Sequence, residues 1–212
     1  MTSELAGFRH FFQAGSGRTL LLLHGAGGCE TDLIPLGQAI DPEAALLSPI
    51  GRVLENGMPR FFRRLAEGVF DFEDVRVRAR ELAGFLDAAC REYELDARRL
   101  VAVGYANGAN MAAALLLLCP GVLAGAALFR SMPPVPTDHA PKSLPALLAA
   151  PVPVLIANGA KDTITPPEHG LRLAELLRAD GADVTEYGHP GGHALSAGDV
   201  EAARAWLSRY RL

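Results

Sequence analysis

Leu100-Val101-Ala102-Val103-Gly104-Tyr105-Ala106-Asn107-Gly108-Ala109-Asn110 is the stretch on which the reading of this chain turns. An apolar, β-leaning run ends in Gly-Tyr-Ala-Asn-Gly, and an Ala/Leu-rich helical pattern starts at once. The order predicts a strand, a sharp turn and a helix. In the Gly-x-Ser-x-Gly version of such a turn, the central residue sits at a strained backbone angle. Its small neighbours let strand and helix approach each other. The elbow is present here, but its central residue is Ala106, and a methyl group cannot attack a carbonyl.

Upstream, Phe8 to Gln13 alternates weakly, as an edge strand would, and Gly15-Ser16-Gly17 is a turn. Thr19 to Leu23 is a short continuous apolar run, the pattern of a parallel strand buried on both faces. It ends in His24-Gly25-Ala26-Gly27-Gly28, a loop whose backbone N–H groups are free to face a ligand. Asp32 to Ile40 reads as a helix and Ala44 to Ile50 as a strand. Arg52 to Asp71 mixes Gly, Pro, paired Phe and four Arg, which predicts a long loop with little regular structure. Long loops in compact domains are often functional.

Downstream, Phe72 to Tyr93 places Val75, Ala79, Leu82, Ala83, Leu86 and Cys90 near one helical face. Met111 to Phe129 is uncharged and close to membrane-spanning length, yet Cys119-Pro120-Gly121 divides it. A buried helix and then a buried strand, Val122 to Phe129, explain it without a bilayer. Met132 to Pro145 reads as a Pro-rich linker and Val152 to Ala157 as a strand. A helix runs from Pro166 through Leu177, a last strand from Asp183 to Tyr187, and a last helix from Asp199 to Tyr210. Strands alternating with helices imply one compact α/β domain over residues 1–212, a mostly parallel twisted sheet with helices on both faces. Sites in such folds lie outside the carboxyl ends of the strands. The loops 24–28, 51–70, 104–108, 158–165 and 188–193 all fall there.

Composition narrows the function. Half of the 212 residues are apolar, 21% are charged and the net charge is −4, which describes a compact soluble chain. No basic footprint for nucleic acid is present. Three widely spaced cysteines (Cys29, Cys90, Cys119) lack metal-ligand spacing and suit a reduced, cytoplasmic setting. The first residues show no signal-peptide pattern.

A serine triad needs a nucleophile, a base, an orienting acid and oxyanion donors. After an elbow of this kind the order is Ser, then Asp or Glu, then His. The order available is Ala106, Asp162, His193. Asp162 alone would pass for a turn or helix-cap residue, and His193 alone for a solvated loop residue. Each nevertheless follows the correct strand. His189 competes with His193 for the base, but Pro190 and its place nearer the strand weaken it. The N–H groups of Asn107 and Ala26 are the expected oxyanion donors. Met58, Phe61 and Phe62 are awkward to leave in water and are read as pocket wall. Arg60 is a candidate ligand or loop anchor, and Gly27 and Ile164 join the pocket set from adjoining loops.

These residues together resemble the phospholipase/carboxylesterase group of small α/β-hydrolases. The likeness is nearer to its bacterial hydroquinone-resistance and dienelactone-hydrolase-like branch. It is carried by Leu-Leu-His-Gly-Ala-Gly-Gly (22–28), Leu-Glu-Asn-Gly-Met-Pro-Arg-Phe-Phe-Arg-Arg (54–64) and Val-Gly-Tyr-Ala-Asn-Gly-Ala-Asn (103–110). Asn-Gly-Ala-Lys-Asp (158–162) and Gly-Gly-His (191–193) complete it. The resemblance implies a hydrolase of small acyl or aryl esters that needs no cofactor or metal, often a homodimer, with Asp162 and His193 in the triad. Members of the group have Ser at the position of Ala106.

Two accounts compete for that alanine. The chain is either an inactivated variant of a working esterase or a natural pseudo-hydrolase that keeps its pocket for binding. Retention of Asp162 and His193 favours the first, since drift would erode a relay without use. A third route, His193 directing water at a bound carbonyl, would be slow.

Overall fold

The computed structural model describes residues 2–136 and 151–210. Strands β1 (Thr2–Leu5) and β2 (Phe8–Gln13) form an N-terminal hairpin, followed by β3 (Thr19–Leu23), helix α1 (Ile34–Ile40) and β4 (Ala45–Pro49). Four very short strands come next: β5 (Val53–Glu55), β6 (Met58–Arg60), β7 (Arg64–Ala66) and β8 (Val69–Phe70). The alternation then resumes with α2 (Phe72–Glu92), β9 (Leu100–Tyr105), α3 (Asn107–Leu118) and β10 (Gly125–Phe129). It closes with β11 (Pro153–Gly159), α4 (Pro167–Ala179), β12 (Asp183–His189) and α5 (Ala197–Ser208).

Eight strands make one sheet in the order β1-β2-β4-β3-β9-β10-β11-β12. β1 with β2 and β2 with β4 pair antiparallel, and every other neighbour pairs parallel. The leucine run of β3 shows why the chain folds this way. Leu21 and Leu23 pack into a core shared with α2, α3 and α4, whereas Leu20 and Leu22 pack into a second core with α1 and α5. A strand covered on both faces loses the polar half of its alternation. Each fully buried leucine is worth roughly 1.5–3 kcal/mol relative to exposure, and β3 contributes four of them.

α2 starts where Asp71 accepts a hydrogen bond from the Asp74 N–H, and it buries Val75, Ala79, Leu82 and Leu86 as its stripe predicts. α3 ends at Leu118 and β10 begins at Gly125, so the uncharged 111–129 stretch is indeed a helix and then a strand. Among the described residues no helix is long and apolar enough to cross a membrane.

Two expectations need correction. Residues 52–71 are not an irregular loop but two hairpins, β5 with β6 and β7 with β8. Asn56 and Gly57 turn the first at φ 52° and 78°, the positive pair that a tight Asn-Gly hairpin turn requires. Nor is Phe8–Gln13 the edge strand: as β2 it pairs with β4 on one side and on the other with β1, whose mostly exposed Thr-Ser-Glu-Leu shows no apolar pattern and takes the sheet edge. Most of the expected 132–145 linker lies outside the described residues.

Candidate active site

The elbow sits at the carboxyl end of β9, in the middle of the sheet. Ala106 has φ 49° and ψ −112°, and its N–H donates to the Phe129 carbonyl at 2.9 Å. The flanking glycines are steric necessities. A Cβ on Gly104 would stand 2.6 Å from the Ala109 Cα, and one on Gly108 would stand 2.0 Å from the Leu23 oxygen. Strand β9, helix α3 and strand β3 therefore close on one another only with glycine at both places.

Asp162 follows β11 and His193 follows β12. His193 Nδ1 lies 2.8 Å from Asp162 Oδ2. The carboxylate side chain is fully buried, and its other oxygen accepts from the N–H groups of Ile164 (2.9 Å) and Thr165 (2.8 Å). With every lone pair that matters committed, the carboxylate has one orientation. The Nδ1–H that it accepts leaves His193 Nε2 as the basic nitrogen. His189 is elsewhere, at the end of β12, its Nδ1 accepting from the Gly191 N–H at 3.3 Å.

A buried arginine holds the histidine loop. Arg130, at φ 57° just after β10, is fully buried. Its guanidinium donates to the carbonyls of Gly192, His193 and Ala194, to that of Ala157, and to both oxygens of Asp199. Burial pushes the Asp199 carboxyl up, but hydrogen bonds from Arg130 and Ser196 outweigh it and hold the group below its ordinary value. Arg130 belongs to none of the motifs that mark the site in the sequence. The signal was a lone charge closing the wholly apolar run Ala126 to Phe129.

His24 ties the glycine loop to the hairpins. Its Nε2 accepts from the Gly51 N–H at 2.9 Å, which fixes the proton on Nδ1, where it donates to the Gly25 carbonyl at 2.6 Å. Burial draws its pKa below the ordinary histidine value, more than that hydrogen bond and the charges of Asp32 and Glu30 raise it. Two further bonds hold β6 against the site. The Gly27 N–H donates to the Pro59 carbonyl at 2.9 Å, and the Phe61 N–H donates to Asn107 Oδ1 at 2.8 Å.

These parts surround a cleft of about 300 Å³. Ala106, Asn107 and His193 line it, with Gly25 and Ala26 from the glycine loop. Neither the Ala26 nor the Asn107 backbone N–H donates to an acceptor among the described residues. The Asn107 N–H opens α3, where the helix dipole favours negative charge. Arg60 and Ile164 also line the cleft. Phe61 and Phe62 do not, contrary to expectation. Both are buried behind it, Phe61 against the His24 ring and Phe62 edge-on to Phe70. Phe70 supplies the aromatic wall instead. Met58 and Gly27, expected in the same pocket, do not line the cleft either: Met58 is exposed against Gly27, and Gly27 faces an adjoining groove with Ala26. No cluster of three His, Cys, Asp or Glu suited to a metal occurs among the described residues.

No protein-family model matches the chain, but individual proteins do. It is 46% identical over 199 residues to "Putative hydrolase MhqD" of Bacillus subtilis (strain 168), covering 93% of this chain and 96% of that protein. The crystal structure of the Bacillus cereus carboxylesterase is 45% identical, with a TM-score of 0.85, covering 95% of this chain and 94% of that one. A carboxylesterase from Mesorhizobium loti is 33% identical, with a TM-score of 0.89, covering 97% and 96%. Likeness of that extent, over a sheet whose elbow, acid and histidine stand in hydrolase order, means that the chain belongs to the carboxylesterase family of α/β-hydrolases, with alanine at its elbow.

Proposed function

We propose that this protein carries the pocket and proton relay of a hydrolase for small acyl or aryl carboxylic esters, and lacks only the nucleophilic oxygen. The observation that supports this most strongly is the Asp162–His193 pair, 2.8 Å apart with the other carboxylate oxygen held by two backbone N–H groups, beside a residue still held at the strained elbow angle. With serine at position 106, its hydroxyl would attack the ester carbonyl while His193 Nε2 takes the proton. Asp162 would hold the imidazole and stabilise its charged form. The N–H groups of Ala26 and Asn107 would receive the oxyanion, each contributing about 3–4 kcal/mol by analogy with other hydrolases. The leaving alcohol would take the proton back from His193. Water, activated by the same nitrogen, would then release the acid.

As it stands the chain binds such esters without forming an acyl-enzyme, and any residual acceleration is no more than about 10³–10⁴ over water. Ala106 itself favours a second reading, a natural ligand-binding protein that has left catalysis behind. Ala106→Ser, assayed beside the parent on aryl esters from acetate to octanoate, separates the two. Turnover by the serine variant alone supports the esterase reading. Two inert proteins that still bind ligand would replace it with the second.

A further inference from the structure

Arg60 ends β6 in the cleft wall and is only 6% exposed. Its guanidinium has one partner among the described residues, Glu55, at 3.0 Å from Nη1 to Oε2. That contact is a charge pair without hydrogen-bond alignment: Glu55 Oε2 and Arg60 Nε are both buried with no hydrogen-bond partner. The other Glu55 oxygen accepts from Arg64 Nε at 2.8 Å, and Arg64 borders the same cleft. Asn107 also lines the cleft, and its amide Nδ2 is buried without a partner.

Buried polar groups are nearly always hydrogen-bonded, and an unmatched charged donor is costlier than a neutral one. Arg60 and Asn107 both line the cleft, and each keeps an unmatched donor in its wall, which a ligand bringing acceptor oxygens would match once the side chain turns toward it. The charges say which kind. Arg60 and Arg64 share Glu55, so the three leave one net positive charge. Glu67 also borders the cleft, but it stands exposed on the turn between β7 and β8, where water screens it. A planar carboxylate carries one negative charge and two acceptors that fit the guanidinium fork. A phosphate dianion would exceed the charge available.

We infer that the cleft selects esters bearing a free carboxylate, with Arg60 as its principal ligand and Arg64 and the Asn107 amide beside it. This rests on reading the cleft as an ester site, and its test is arranged to fail separately. The parent chain cannot consume its ligand, so calorimetric titration with monomethyl adipate and with uncharged dimethyl adipate reads the subsite directly. The monoanion should bind tighter on the order of 10–100-fold, the worth of a charged hydrogen bond, and Arg60→Gln should erase the difference.

In the Ala106→Ser background, kcat/KM for 4-nitrophenyl hydrogen adipate over 4-nitrophenyl hexanoate should show a preference of the same order. Rates are corrected for spontaneous hydrolysis, and Arg60→Gln should bring the ratio near unity. Equal handling of each pair by protein with Arg60 intact overturns the inference and leaves the esterase reading standing. A serine variant inert to both esters, in a protein that still prefers the monoanion by titration, overturns the esterase reading and keeps the subsite. Should Arg60→Gln fail to fold, the intact protein's preference still decides, and Arg64→Gln should weaken it in the same direction.

Discussion

Ala106 holds a backbone angle that costs a residue with a Cβ on the order of 1–3 kcal/mol. A serine hydroxyl would draw reactivity from that strain, whereas a methyl group draws nothing. Ala106→Gly should therefore raise the unfolding free energy in urea, by up to about 2 kcal/mol once glycine's extra unfolded-state freedom is subtracted; a lower midpoint would contradict the strain. His24 offers a test by pH. Its native pKa lies below the unfolded value because burial disfavours the charged ring. The unfolded chain thus binds the proton first, and the stability that neutral His24 contributes is whole above about pH 6.5 and lost as pH falls below it. Urea midpoints between pH 7.5 and 5 should fall more steeply for the parent than for His24→Asn. Parallel profiles would remove His24 from the account. Ala106, Asp162 and His193 were legible in the sequence because each follows a strand in hydrolase order. His24 and Arg130 were not, since their importance comes from bonds to segments 27 and more than 60 residues away.

At the level of elements, the hairpins β5–β6 and β7–β8 turn residues 53–70 into a wall instead of a loose loop. Strands of two or three residues are too short to show a period of two, so only Asn56-Gly57 announced them. The same shortness misplaced the aromatics. Phe61 and Phe62 follow β6 into the core, and Phe70, at the end of β8, reaches the cleft. On the other side, Arg130 joins the end of β10 to the loop between β12 and α5. Arg130→Met strands a buried Asp199 and three carbonyls of the histidine loop, and should cost roughly 3–5 kcal/mol in urea unfolding. Arg130→Lys, which keeps the charge and loses the fork, should recover part of that. A loss under about 1 kcal/mol for the methionine variant would show that the loop holds itself.

Across the whole molecule, the doubly covered sheet was the most legible feature, because runs such as Thr19 to Leu23 are apolar without alternation and the helices between them are amphipathic. The antiparallel edge formed by β1 was the least legible, being polar and exposed. The sheet gathers the carboxyl ends of β9, β11 and β12 at one edge, where Ala106 and His193 line the cleft and Asp162 lies buried behind His193. The central claim is that everything but the nucleophilic oxygen is in place. Intact-mass and peptide mass spectrometry after treatment with an alkyl fluorophosphonate tests it most directly, on the parent and on Ala106→Ser. The account predicts one phosphonyl group on residue 106 of the serine variant and none on the parent. A folded serine variant that stays unlabelled, or a parent labelled at any residue of the cleft, would contradict it.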